Sequence, residues 1–287
     1  MKQIKLVLLL VLLVFITTGC VRRDNLDGIE IAVTAYPYEY ITRILYGNHS
    51  LVSSIFPDGV NIWEHQLSER TLNDYSRKNI FIYSSINNDK DIAIKLLERN
   101  RNMLIIDATF GMAVVGGNEE LWLNPSNLLM IAQNIRNGLL EYINSNYLRR
   151  EIEEKYEELR IVLSELDAEI KLTAENAARK TIVTNTNSLL FLEKYGFEVI
   201  SLDARNNISD RIIAEVKNRI DSSEIKHLFV LENTERSDGF NQIVNDTEIV
   251  VLTLKSISNI TDKERDEKKD YLSLMSFNLE LLKSELY

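Results

Sequence analysis

The 287-residue chain is poor in the residues that staple small folds or cage metals: it has one cysteine, three histidines and three prolines. A lone cysteine excludes a disulfide framework, a cysteine-based zinc site and an iron–sulfur cluster. With His49, His65 and His227 as the full set of imidazoles, any metal site must be poor in nitrogen donors. Positive charge is short too: 33 Lys and Arg stand against 43 Asp and Glu, a formal net charge of -10. No basic stripe is visible, so nucleic acid is not the partner. The chain has no glycine-rich phosphate loop, no Gly-x-Ser-x-Gly elbow and no His-Glu-x-x-His helix. Its carboxylate pairs sit on charged helical faces, where solvation explains them, so the chain does not read as an enzyme.

What is there begins with a leader. A basic start, Met1 to Lys5, precedes an unbroken apolar run from Leu6 to Ile16. Eleven residues are too few to span a bilayer, which needs about 20, and they fit a signal-peptide core. Thr17-Thr18-Gly19-Cys20 follows and resembles the bacterial lipobox, in which the cysteine is lipidated and becomes the first mature residue. A secreted thiol with no partner otherwise needs its own explanation. The expectation is therefore a signal peptide over 1–19, lipidation at Cys20 and a polar tether over 20–28. Cleavage would remove Lys2 and Lys5 and take the net charge from -10 to -12.

The body, 45% hydrophobic and 26% charged over the whole chain, reads as α/β. Strand patterns at Ile29–Tyr36, Leu51–Phe56, Ile80–Ser84 and Met103–Thr109 alternate with helical ones at Glu39–Tyr46, Ser68–Lys78 and Asp89–Asn100. That alternation predicts a mainly parallel sheet covered on both faces. A helix over Asn127 to Ser145 follows. Then Ile152, Tyr156, Leu159, Leu163, Leu166 and Ile170 recur at spacings of three and four, predicting a long helix over 147–177, about 46 Å at 1.5 Å per residue. A second series has strands at Thr181–Asn185, Glu198–Leu202, His227–Glu232 and Glu248–Leu252. Its helices fall at Ser188–Tyr195, Asp210–Ile220, Thr234–Val244 and Lys269–Leu286. The expected organisation is an N-terminal α/β lobe over 29–146, the connecting helix, and a C-terminal α/β lobe over 178–287. Residues 258–268 are polar and charged and read as solvated. No glycine-rich linker separates the lobes, so a stiff hinge is expected.

Several motifs then resemble one family. Pro57-Asp-Gly-Val60, Trp122-Leu-Asn-Pro125, Glu193-Lys-Tyr-Gly-Phe-Glu-Val199 and the closing helix with Tyr271, Met275, Asn278 and Leu282 occur in order and with matching gaps. In these the chain resembles the metal-binding lipoproteins of zinc and manganese ABC importers, the cluster A-I or cluster 9 solute-binding proteins. The resemblance implies two lobes clasping a divalent cation, Zn or Mn, and partnership with an ABC permease and its ATPase at the outer face of the cell membrane.

The family's His-His-His-Asp ligand set is not present. Counting from the motifs places the four positions at Trp63, Glu120, Asn185 and Thr253. Glu120 is able to ligate, Asn185 and Thr253 offer neutral oxygens, and Trp63 ligates nothing. Such a set disfavours zinc, which prefers imidazole, thiolate and carboxylate. Trp63 offers instead a flat apolar wall and one N–H, suited to an organic ligand, a cation–π contact or an inert, filled cleft. His65, with Glu64 beside it, is a rival ligand that swings into the cleft or else caps the following helix. Glu232, at the C-terminal end of a predicted strand, either faces the cleft or interacts with a helix N-terminus. The expected function is a membrane-anchored binding protein of an importer with an atypical metal site. The alternative is a surface interaction or adhesion lipoprotein that kept the fold and lost metal binding.

Overall fold

All eight strands run parallel to their neighbours in the computed structural model, which describes residues 28–287. The signal peptide, Cys20 and all but the last residue of the tether lie outside the described residues. The first sheet has strands β1 (Ile29–Val33), β2 (Ser50–Ser54), β3 (Ile80–Tyr83) and β4 (Leu104–Asp107), in the order β2-β1-β3-β4. The second repeats the order as β6-β5-β7-β8, from β5 (Thr181–Thr184), β6 (Glu198–Ser201), β7 (His227–Leu231) and β8 (Val250–Leu254). In each sheet the chain leaves the central strand in both directions, so a crevice opens at the C-terminal strand ends, where α/β sheets bind ligands.

Helices α1 (Tyr36–Tyr46), α2 (Glu69–Tyr75) and α3 (Asp89–Arg99) connect the first sheet. After β4, α4 (Glu120–Leu123) and α5 (Pro125–Tyr142) lead into α6 (Asn146–Asn176). In the second lobe a 3₁₀ helix, Asn187–Tyr195, stands where the pattern predicted an ordinary helix. It is followed by α7 (Asp210–Asp221), α8 (Asp238–Asp246), α9 (Asp262–Asp266) and α10 (Tyr271–Leu286). Two lobes, each a four-stranded parallel sheet flanked by helices, are thus joined through one 31-residue helix.

Local chemistry explains the boundaries. Ser145 Oγ accepts from the Leu148 amide and starts α6, and Arg149 takes the carbonyl of Ile143 at 2.9 Å and that of Leu140, closing α5. The seam residues Ile152 to Ile170 of α6 are all buried, against α1 and α5. Gly196 ends the 3₁₀ helix at φ 96°, a conformation that glycine adopts without a Cβ penalty. One continuous apolar core takes in the first sheet, α6, α10 and the inner side of the second lobe. A smaller cluster around Val216, Phe240 and Ile243 fills the outer side of the second lobe.

The segment read as solvated is instead a strap across the lobes. Ile257, Ser258 and Ile260 are buried. The Ser258 carbonyl accepts the Tyr36 amide at 3.0 Å, satisfying a donor at the start of α1 that has no partner within its own helix. The Gly59 amide donates to Ile260 at 2.8 Å, and the Asn259 side chain donates to the carbonyls of Pro57 and Val60 at 2.8 and 3.0 Å. Arg265 forks onto Asp58 at 2.6 and 2.8 Å and reaches the buried Glu39 at 2.9 Å. Asp262, Lys263 and residues 266–268 of the segment remain exposed.

Candidate ligand cleft

Between the lobes lies a cleft of about 240 Å³. The first lobe supplies Trp63 and the loop Gly117–Glu119. The second supplies chain that follows β5, β6 and β7: Asn185 and Thr186, Asp203 to Arg205, and Asn233 to Glu235. Asn233 sits at φ 62°, a left-handed conformation that asparagine tolerates better than most residues, and it turns the chain back along the cleft edge.

Trp63 and Glu119 form the centre of the first-lobe wall. The Trp63 indole N–H donates to Glu119 Oε1 at 2.8 Å, and Ser188 Oγ of the second lobe donates to Glu119 Oε2 at 2.9 Å. Glu119 is 7% exposed, and among the described residues it has no ion-pair partner. Trp63 stacks on Trp122, with ring centroids 6.1 Å apart and planes 7° from parallel. Trp122 is fully buried. It donates to the Ser256 carbonyl of the strap at 2.7 Å, and Tyr271 donates to its carbonyl at 2.6 Å. The loop passes so close to the second lobe that a Cβ on Gly117 would stand 2.1 Å from Ser188 Oγ, so only glycine fits there.

The second-lobe wall is already internally bonded. The Asn185 amide donates to Thr234 Oγ1 and to the Glu235 carbonyl, both at 2.8 Å, while its oxygen accepts the Leu231 amide at 2.9 Å. Asn185 therefore ties β5 to the β7 turn and has no donor left to offer a solute. Burial pushes the Asp203 carboxyl up, but Arg205 and the Asn187 amide more than reverse this and hold it below the usual carboxylate range. Glu235 is exposed and unpaired among the described residues.

Of the positions expected at the site, Trp63 and Asn185 share the cleft and the others lie elsewhere. Glu120 points away from it: its carboxylate accepts the Gly116 amide at 2.8 Å and is buried. Its neighbour Glu119 faces the cleft instead, because residues adjacent on a helix project about 100° apart. Thr253 is exposed on β8, paired in register with Val230. That strand runs two residues beyond its predicted end, so the residue following it is Lys255. Burial draws the Lys255 ammonium down, but Glu264 at 2.9 Å and Glu232 at 3.2 Å outweigh that and raise its pKa. Glu232 is thus the partner of Lys255 and does not line the cleft. Glu64 and His65 are exposed; His65 borders a separate hollow with Glu39, Arg43 and Arg265. Among the described residues no three His, Cys, Asp or Glu side chains come together as metal ligands.

Comparisons with known proteins identify the family and the fold. A family model described as ZnuA, zinc-uptake complex component A, periplasmic, matches residues 31–285. The chain belongs to this family. Zinc-binding lipoprotein AdcA of Streptococcus pneumoniae strain R6 is 22% identical over 99% of the chain and 61% of its own length. The chain therefore spans about three-fifths of the AdcA proteins it matches. ZnuA of Bacillus subtilis, a high-affinity zinc uptake system protein, is 19% identical over 91% of the chain and 88% of its own length. Among solved structures, the Zn(II)-bound ZnuA-like domain of AdcA from Streptococcus pneumoniae superposes with a TM-score of 0.73 at 19% identity, covering 91% of this chain and 99% of that one. The laminin-binding protein Lbp of Streptococcus pyogenes gives 0.70 at 18% identity, covering 91% and 100%. ZnuA-family proteins are solute-binding proteins, and the twin sheets, the strut α6 and the crevice between the lobes are the family's fold.

Proposed function

We propose that the chain is the extracytoplasmic binding component of an ABC importer, anchored to the cell membrane through a lipid on Cys20 and serving a permease and its ATPase. The observation that carries this reading is the family match across nearly the whole body, combined with a preformed crevice at the C-terminal ends of both sheets. Divalent cations, zinc or manganese, are the cargo that the family implies. The family role carries over, while a zinc cage finds no support: the four expected positions supply no histidine, and the two buried cleft carboxylates are already bonded, Glu119 to Trp63 and Ser188 and Asp203 to Arg205.

Co-reconstitution tests the role. The full-length chain in proteoliposomes with the permease and ATPase encoded beside its gene should stimulate ATP hydrolysis several-fold. No stimulation, or no such neighbours, contradicts the importer reading.

One observation favours a second reading, that of a surface interaction protein. The strap, Trp122 and Glu119 bond the two lobes directly to each other, as suits a protein that does not need to open. Immobilised extracellular-matrix protein that captures the purified chain, with no stimulation of an ATPase, would select it.

A further inference from the structure

The cleft carries an uncompensated charge. Three carboxylates, Glu119, Asp203 and Glu235, face one guanidinium, Arg205, so two formal negative charges remain. Arg205 and Asp203 are joined by two side-chain bonds at 2.7 and 2.8 Å and neutralise each other. Arg205 also feels Glu119, which helps hold its charge, but its N–H groups point at Asp203. What remains is Glu119, buried with hydrogen bonds but no ion pair, and Glu235, exposed at the rim. A buried carboxylate without a counter-charge is costly and is relieved by a cation.

The wall beside it is aromatic. The N–H edge of Trp63 is committed to Glu119 and one face to Trp122, which leaves the opposite face toward the cleft. An indole face attracts a soft organic cation and is no ligand for a metal ion. A bare divalent ion instead needs several donors at about 2.0–2.6 Å, and Asn185 and Asp203 already have their bonds within the protein. The space of about 240 Å³ is also that of a small molecule and not of a single ion.

We infer that the cleft takes a small organic cation with an ammonium head group, its charge seated between Glu119, Glu235 and the open face of Trp63. This rests on the reading of the crevice as the solute site. Asn118 and Asn233 at the rim are placed to meet a polar tail.

Trp63 and Trp122 are the only tryptophans in the chain, so selectively excited tryptophan emission reports this wall. The full-length chain in detergent is titrated with choline and with putrescine at fixed ionic strength. The expected result is a saturable emission change with at least one of them, with affinity weakened about tenfold in Glu119→Gln and a few-fold in the surface variant Glu235→Gln, and, read by calorimetry because the reporter itself is replaced, binding lost in Trp63→Leu but not in Trp63→Phe. Absence of saturation by fluorescence and calorimetry up to about 10 mM overturns the inference. So does unchanged affinity in both Glu119→Gln and Glu235→Gln, or saturation by Zn²⁺ at far lower concentration. ATPase stimulation without binding of either probe would remove this inference and leave the importer reading standing. Binding without stimulation would do the reverse.

Discussion

Trp63 and Glu119, 56 residues apart in sequence, meet at 2.8 Å and form a bonded aromatic–carboxylate pair on the first-lobe wall of the cleft. Trp63→His would replace a non-ligand with an imidazole beside a buried carboxylate. Zn²⁺ affinity is expected to rise by about tenfold or more over the parent chain, read by calorimetry. Unchanged affinity would mean that position 63 does not face the solute.

The strap is a second point of leverage. Arg265→Ala removes the fork onto Asp58 and one of two arginine partners of Glu39, whose side chain is 2% exposed. Arg43 still reaches Glu39, and Arg265 is itself partly exposed, so the expected loss is about 1–3 kcal/mol, well short of that for an isolated buried charge. Urea unfolding measures it. Hydrogen exchange at the Gly59 amide, bonded to Ile260, should speed up in parallel; an unchanged midpoint with unchanged protection would show that the strap does not hold the lobes.

Trp122 links the cleft to the core. Trp122→Phe keeps most of the buried area but leaves the Ser256 carbonyl without its donor, which should cost about 1–3 kcal/mol. Trp122→Ala adds a cavity and should cost about 3–5 kcal/mol or more. A negligible loss in Trp122→Phe beside a large one in Trp122→Ala would mean that packing alone, and not the bond to Ser256, gives Trp122 its weight.

Asp89 gives a pH signature. Burial pushes its carboxyl from 3.8 up to about 6, against the opposing pull of hydrogen bonds from Thr34 Oγ1 and the Ser84 amide. The folded state thus binds the proton more tightly than the unfolded chain. Its contribution is fully present below pH about 4 and is lost as pH rises through about 6, on the order of 3 kcal/mol in all. Depressed carboxyls such as Asp203, Asp167 and Glu198 act with the opposite sign, so the difference between parent and Asp89→Asn isolates the effect. The stability of the parent relative to the variant should fall between pH 4 and pH 7; a constant difference would contradict the buried, perturbed carboxyl.

The sheets and the long helix were legible because periodicity encodes them. The 3-4 spacing from Ile152 to Ile170 could only bury one face of one helix, and the structure buries each of those residues. The strap was not legible. Charged and polar residues dominate 258–268, and nothing local tells that Asn259 and Arg265 find partners some 200 residues earlier. At the cleft, two of the positions counted from motifs, Trp63 and Asn185, lie on its walls, and Glu119 lines it where its neighbour Glu120 was expected. β8 ends at Leu254, two residues past its expected end. Side-chain direction changes with every residue, so small slips lose the identity of a site while leaving its place in the fold intact.

We propose that the ZnuA-family scaffold persists here without a zinc cage. Calorimetric titration of the full-length chain with Zn²⁺ tests it most directly. No one-to-one binding tighter than about 10 μM and no rise in melting temperature are expected. A nanomolar one-to-one site, weakened in Glu119→Gln, would contradict it.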